Sequence, residues 1–148
     1  PIGVAMNNPS SFGWLDVLAV LVAVTALIGE GIADSQLANF RAHLSNSESP
    51  SQEGRVCDTG LWRFSRHPNY FFEWLLWWSY VLHAFGSSDV WYSLLGPAIM
   101  YIFLLYITGI PPSGYSSLNR RGAAYARYQA TTSPFFLWKP KKIAESSD

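Results

Sequence analysis

Three apolar segments limit what this chain can become. The first runs from about Phe12 to Ala33 and holds WLDVLAVLVAVTALIG; the second runs from about Tyr70 to Phe85; the third runs from about Val90 to Ile110 as VWYSLLGPAIMYIFLLYITGI. A helix that crosses a bilayer needs roughly 20 mostly apolar residues, and it satisfies its own backbone polar groups on the way. The first and third segments meet that length. The second is short and reaches it only with its flanks. The expected fold is an all-α integral membrane bundle, with about three transmembrane helices and cytosolic amphipathic helices attached. Only 14% of the residues are charged, against about a quarter in a soluble domain, which agrees with segments meant for lipid.

Charge placement supports the same reading independently. Arg41, Arg55, Arg63 and Arg66 lie between the first and second segments, and Arg120, Arg121, Arg127, Lys139, Lys141 and Lys142 follow the third. If all three segments cross, every Lys and Arg lies on one face, and the positive-inside rule puts the long loop and the C-terminal tail in the cytoplasm. Formal net charge is zero, so bulk charge makes no case for nucleic acid. The single cysteine, Cys57, cannot form an internal disulfide and reads as an ordinary loop thiol.

Residues 1–11 read as an N-terminal segment, 12–142 as one membrane domain and 143–148 as a disordered tail. The chain begins at Pro1 without an initiator Met, which fits a fragment or a processed form, and it lacks the basic start of a secretory signal. The loop Ser45–Ser51 is polar, carries Pro50 and reads as a flexible connection. Gly109-Ile110-Pro111-Pro112-Ser113-Gly114 reads as a break, after which Ser116 or Ser117 caps a short helix through about Gln129. Phe135 to Trp138, followed by lysines, reads as an interfacial anchor.

The chemistry-bearing residues gather at the cytoplasmic helix mouths. Glu30, Asp34 and Arg41 share one helix face, since seven residues make nearly two turns. They can bind ribose hydroxyls and phosphate, the planar fork of Arg donating two hydrogen bonds, or they can be a plain polar helix end with Arg41 paired to Asp34. Arg63, Arg66 and His67 form a second cationic group. Pro68 suits the first turn of the next helix, and Asn69, Tyr70 and Glu73 follow it. A helix N-terminus favours anions, so this group suits a pyrophosphate; lipid headgroup contact is the plainer reading. Glu73 lies just inside an apolar segment, where an ionisable residue is a functional candidate. Asp16 and His83 read as structural, and Trp74, Trp77 and Trp78 as packing. No Walker loop, G-x-G-x-x-G, G-x-S-x-G or histidine metal spacing occurs.

GLWRFSRHPNYFFEWLLWW (Gly60–Trp78), ADSQLANFR (Ala33–Arg41) and RRGAAYARYQATTSPFF (Arg120–Phe136) together resemble three ordered motifs of the steroid 5-alpha-reductase C-terminal domain family, in its branch of DUF1295 membrane proteins. The resemblance implies NADPH-dependent reduction of a carbon–carbon double bond conjugated to a carbonyl, on a lipid or steroid-like substrate. It implies that Asp34, Arg41, Arg63, Arg66, His67, Asn69 and Tyr70 contact the nucleotide. Glu73 would shape its nicotinamide end, while Tyr125 and Tyr128 fold over it from the tail. It assigns no catalytic residue and no metal. Two departures stand out: Phe72 where the family usually has Gly beside the cofactor, a large ring that could narrow the site, and SGYSS (Ser113–Ser117) in place of an acidic stretch. The helices that supply the carbonyl-polarising acid in steroid reductases have no counterpart here. The chain therefore reads as the cofactor half of a larger enzyme or as a degenerate relative. The expected partners are the bilayer and a hydrophobic small molecule. Two other functions fit the motifs: a non-catalytic membrane subunit with protein partners, and a methyltransferase that binds S-adenosylmethionine as the isoprenylcysteine enzymes do.

Overall fold

A computed structural model describes residues 2–6, 12–46, 55–107 and 110–141. The described residues are mostly helical and contain no strand. A five-residue helix, α1 (Ile2–Met6), precedes the long α2 (Trp14–Ser45). The start of α2 is fixed by Asp16, whose carboxylate accepts the Gly13 N–H at 2.8 Å, a placement that also suits the positive end of the helix. Its inward face is made of small residues, Ala19, Ala26, Gly29 and Ala33, while Val17, Leu21, Val24, Leu27, Ile28 and Ile32 face outward. Large apolar residues outside and small ones inside is the arrangement of helices that pack in lipid, where close backbone approach replaces hydrophobic burial as the driving force.

Residues 55–58 form no regular element, Thr59 is extended, and a 3₁₀ turn spans Gly60–Arg63. Gly60 has φ +58°, and the Gln36 side chain packs against its Cα. Only glycine adopts that backbone cheaply and leaves room for the amide. Gln36 then accepts the Leu61 N–H at 2.9 Å, and the Trp62 indole donates to the Ala33 carbonyl at 2.9 Å. These bonds hold the motif segment against the end of α2.

Helix α3 (Pro68–His83) starts with Pro68 at its first turn, as the sequence predicts. It packs antiparallel on α2: His83 meets Asp16 at 2.5 Å at one end, and the Asn69 amide donates to Asp34 at 3.1 Å at the other. Both roles expected of Asp16 and His83 are structural, and the pair performs one. At 16 residues, α3 is about 24 Å long, less than the ~30 Å of a hydrocarbon core. The helices long and apolar enough to cross a membrane among the described residues are two, Trp14–Ser45 and Val90–Ile107, against the three segments predicted. The second of these is built from α4 (Val90–Ser93), α5 (Leu95–Ile102) and a π-helical turn (Phe103–Ile107). The Trp74 indole ties α3 to it by donating to the Pro97 carbonyl at 3.0 Å.

The last helix corrects the sequence reading. Helix α6 (Ile110–Thr131) begins at Ile110, not at Ser116 or Ser117. Pro111 and Pro112 sit in its first turn, where a missing N–H costs nothing. The break lies instead at Gly122, with φ 57° and ψ −134°, a conformation that favours glycine. The kink redirects the second half, so Tyr125 and Tyr128 become buried while Leu118 stays exposed.

The tail then straps back. Arg66 N–H donates to Ser133 O at 2.8 Å, Ser65 Oγ to Phe135 O at 2.7 Å, and Trp138 N–H to Phe64 O at 3.0 Å. Phe135 is 1% exposed, packed among Phe71, Trp74 and Tyr101. It is therefore a core residue and not part of an interfacial anchor; only Phe136 and Trp138 of that run remain outward. Most of the Ser45–Ser51 connection and the 143–148 tail lie outside the described residues.

Candidate functional site

The end of α2, the segment from Val56 to Trp62, the mouth of α3 and the part of α6 around the Gly122 kink line a polar cavity of about 310 Å³. Helix α2 contributes Asp34, Leu37 and Arg41, and the irregular segment with the 3₁₀ turn contributes Val56, Cys57 and Trp62. The α3 mouth adds Arg66, His67, Asn69 and Tyr70, and α6 adds Arg121, Tyr125 and Tyr128. Eight of the ten residues predicted for the site thus converge on one cavity, from three parts of the chain.

Their partners distinguish them. Asp34 accepts a hydrogen bond from Asn69, and among the described residues no ion pair joins it to Arg41. The bond takes the Asn69 amide nitrogen and leaves its Oδ1 buried without a hydrogen-bond partner among the described residues; the Arg66 Nε is buried in the same condition. One is an acceptor and the other a charged donor, and buried groups of this kind are costly unless something satisfies them.

His67 does not act as the cation the sequence reading makes of it. Burial, helped by the neighbouring Arg66 charge, pushes its pKa down to about 4, so the imidazole is neutral at pH 7. It stacks on Tyr70 with ring centroids 5.1 Å apart and planes within 7°. Tyr128 is a wall and a tether. Its hydroxyl donates to the Trp62 carbonyl and lies 3.3 Å from that of Ser65. Burial pushes the phenol well above its usual range, so it stays a donor. Tyr125 is buried beside it with centroids 6.0 Å apart.

Two predicted residues fall elsewhere. Arg63 faces a separate cavity beyond Tyr128, which it shares with Arg55 and Arg127. Glu73 is absent from the polar lining and has the carboxylates of Glu30 and Asp34 as electrostatic neighbours. Phe72 does not narrow the site, contrary to expectation. Its ring seats on Gly29 in an apolar groove between α2 and α3, as a knob in the hole that glycine leaves. Sequence reasoning missed Cys57 and did not assign Arg121 to the site. Burial raises the Cys57 pKa, which keeps it a protonated thiol rather than a nucleophile. The Arg-Arg pair before Gly122 was the one sequence sign that α6 carries charge toward the motif.

Residues 1–132 match the family model described as protein of unknown function (DUF1295). The chain belongs to the DUF1295 family. Neither the curated proteins nor the solved structures contain a match to it. In this DUF1295 chain the matched region covers all the α2 and α3 cavity residues together with Arg121, Tyr125 and Tyr128, and ends before the strap residue Ser133.

Proposed function

We propose that this chain is an integral membrane helix bundle that binds NADPH at its cytoplasmic helix mouths, as the cofactor-binding part of a reductase. The reaction class is reduction of a conjugated carbon–carbon double bond on a lipid or steroid-like substrate. The observation that carries the reading is the pair of buried, unsatisfied groups in the cavity, Arg66 Nε and Asn69 Oδ1. An anionic ligand with hydroxyl or amide donors satisfies both at once. Arg41, Arg66 and Arg121 supply positive charge for a pyrophosphate, and the neutral His67–Tyr70 stack supplies a flat face. When bound, the nucleotide would supply hydride; the protein supplies position, charge and a dry setting. The antiparallel α2–α3 pair places the polar cavity at one end of the apolar α2 segment, and the basic residues around it favour the cytoplasm.

A methyl-transfer reading keeps one specific observation in its favour. A cavity of about 310 Å³ is at the lower end for small-molecule sites, which suits a mononucleoside cofactor such as S-adenosylmethionine better than a dinucleotide held entirely inside.

Titration of the purified protein in detergent with NADPH and with S-adenosylmethionine, followed by tryptophan fluorescence, separates the readings. Saturable NADPH binding is expected, weakened by about 1.5–3 kcal/mol in Arg66→Ala through loss of a charge-assisted contact. Asn69→Ala is expected to weaken it as well. Binding of S-adenosylmethionine alone moves the assignment to methyl transfer. Binding of neither by folded protein removes both and leaves a non-catalytic membrane subunit.

A further inference from the structure

An apolar cavity of about 640 Å³ lies between the strap, the end of α6 and the α3 mouth, and shares no lining residue with the polar cavity. Its apolar walls are Phe71 from α3, Ala130 from α6, and Pro134, Phe136, Leu137 and Trp138 from the strap. This lining offers little to a polar ligand. The Thr131 hydroxyl is engaged by its own helix, donating to the Arg127 carbonyl at 3.1 Å. Backbone carbonyls of the same stretch have other partners. Thr131 O accepts the Lys141 N–H at 2.8 Å, Ser133 O the Arg66 N–H at 2.8 Å, and Phe135 O the Ser65 hydroxyl at 2.7 Å. These bonds also fix the walls in place. Water in such a space finds few groups to bond, whereas a hydrocarbon gives up no hydrogen bond on entering. The volume falls within the range of small-molecule sites.

Position says which hydrocarbon reaches it. The Phe136 ring abuts Phe71, Trp74 and Tyr101, and Tyr101 belongs to the apolar Val90–Ile107 segment. Phe136 is itself 45% exposed and Trp138 73%, and the exposed Lys139 and Lys141 follow. Aromatic rings and lysines gathered at the end of an apolar span mark the headgroup level of a bilayer. We infer that this cavity is a binding site for an acyl chain of a membrane phospholipid, seated between the strap and the end of α6. The site rests on the membrane reading proposed above and not on the nucleotide. The chain is the apolar chemistry that a bilayer presents at that level, and the headgroup stays outside, beside Trp138 and Lys139.

The test places the full chain in phosphatidylcholine nanodiscs doped with a phosphatidylcholine that carries a photoactivatable diazirine on one acyl chain. After irradiation, labelled peptides are mapped by mass spectrometry as the probe fraction rises. Labelling of residues 129–139 is expected to saturate, as a site does. Labelling of the outward α2 residues Leu21 and Val24 is expected to rise in proportion to the probe, as bulk lipid contact does. Ala130→Phe puts a ring into the cavity and is expected to cut the saturable labelling by about fivefold or more while α2 labelling holds. Its far-ultraviolet circular dichroism checks the fold, and should it not fold, the wild-type saturation curve decides alone. Labelled α2 without saturable labelling of 129–139 overturns the inference and spares the membrane reading, leaving the cavity to residues 142–148 or to another protein. Absence of labelling on α2 as well overturns both. Saturable labelling that a folded Ala130→Phe leaves unchanged also overturns the inference, because the chain then lies elsewhere.

Discussion

Removing one oxygen from Tyr128 tests how the site is held together. The Tyr128 side chain is 8% exposed, and its hydroxyl is the donor for the Trp62 carbonyl, with the Ser65 carbonyl 3.3 Å away. Tyr128→Phe keeps the ring and its packing and deletes the donor. The Trp62 carbonyl is then left in a place water reaches poorly. An unpaired buried acceptor costs about 1–3 kcal/mol. The longer Ser65 contact adds little, because it lies beyond the usual hydroxyl range. The expected loss is about 2 kcal/mol of stability, read from chaotrope unfolding in detergent followed by circular dichroism. Tyr125→Phe is the matched control. Tyr125 is 4% exposed and makes no hydrogen bond through its hydroxyl to the described residues, so its loss is expected to stay within about 0.5 kcal/mol. Equal effects of the two substitutions, or a Tyr128→Phe loss within about 0.5 kcal/mol of zero, refute the tether.

Two more outcomes follow from the packing and the buried histidine. Gly29→Ala drives a methyl into the Phe72 ring and is expected to destabilise by about 1–3 kcal/mol; in a Phe72→Ala background the added cost is expected to vanish, and strict additivity of the two losses argues against the knob-in-hole contact. His67 makes stability depend on acid. Its folded pKa of about 4 lies below the ~6.5 of an unfolded histidine, so between these values the unfolded chain holds more protons and gains on the folded one. The contribution is complete above about pH 6.5 and falls by ~3 kcal/mol as pH drops to about 4. An unchanged acid slope in His67→Gln over that window sinks the assignment.

The Gly60–Glu73 motif was legible because its parts are local. Pro68 at a helix start and Asn69 and Tyr70 after it need only the next turn to be placed. Asp34 and Arg41 joined the same cavity because one helix face carries both. Arg63 illustrates the limit. It lies three residues from Arg66, yet the 3₁₀ turn and the wall of Tyr128 send it to a different cavity. Phe72 beside the motif reads as an intrusion into the site until Gly29, 43 residues earlier, proves to receive it. Cys57 looks like a loop thiol because nothing nearby in sequence marks the cavity in whose wall it is buried.

Local pattern alone determined the apolar segments, the start of α3 and most of the polar residues at its mouth. Each depends on hydrophobic run length or helical periodicity, which neighbours in sequence set. Tertiary structure alone decided the kink at Gly122, the burial of Phe135, the neutral state of His67 and the division of the arginines between two cavities. Each depends on what lies across the fold. The Tyr128 hydroxyl reaches back 66 residues to Trp62, and Ser65 reaches forward 70 to Phe135. No local rule reports such a bond, because its free energy exists only once both segments have been ordered.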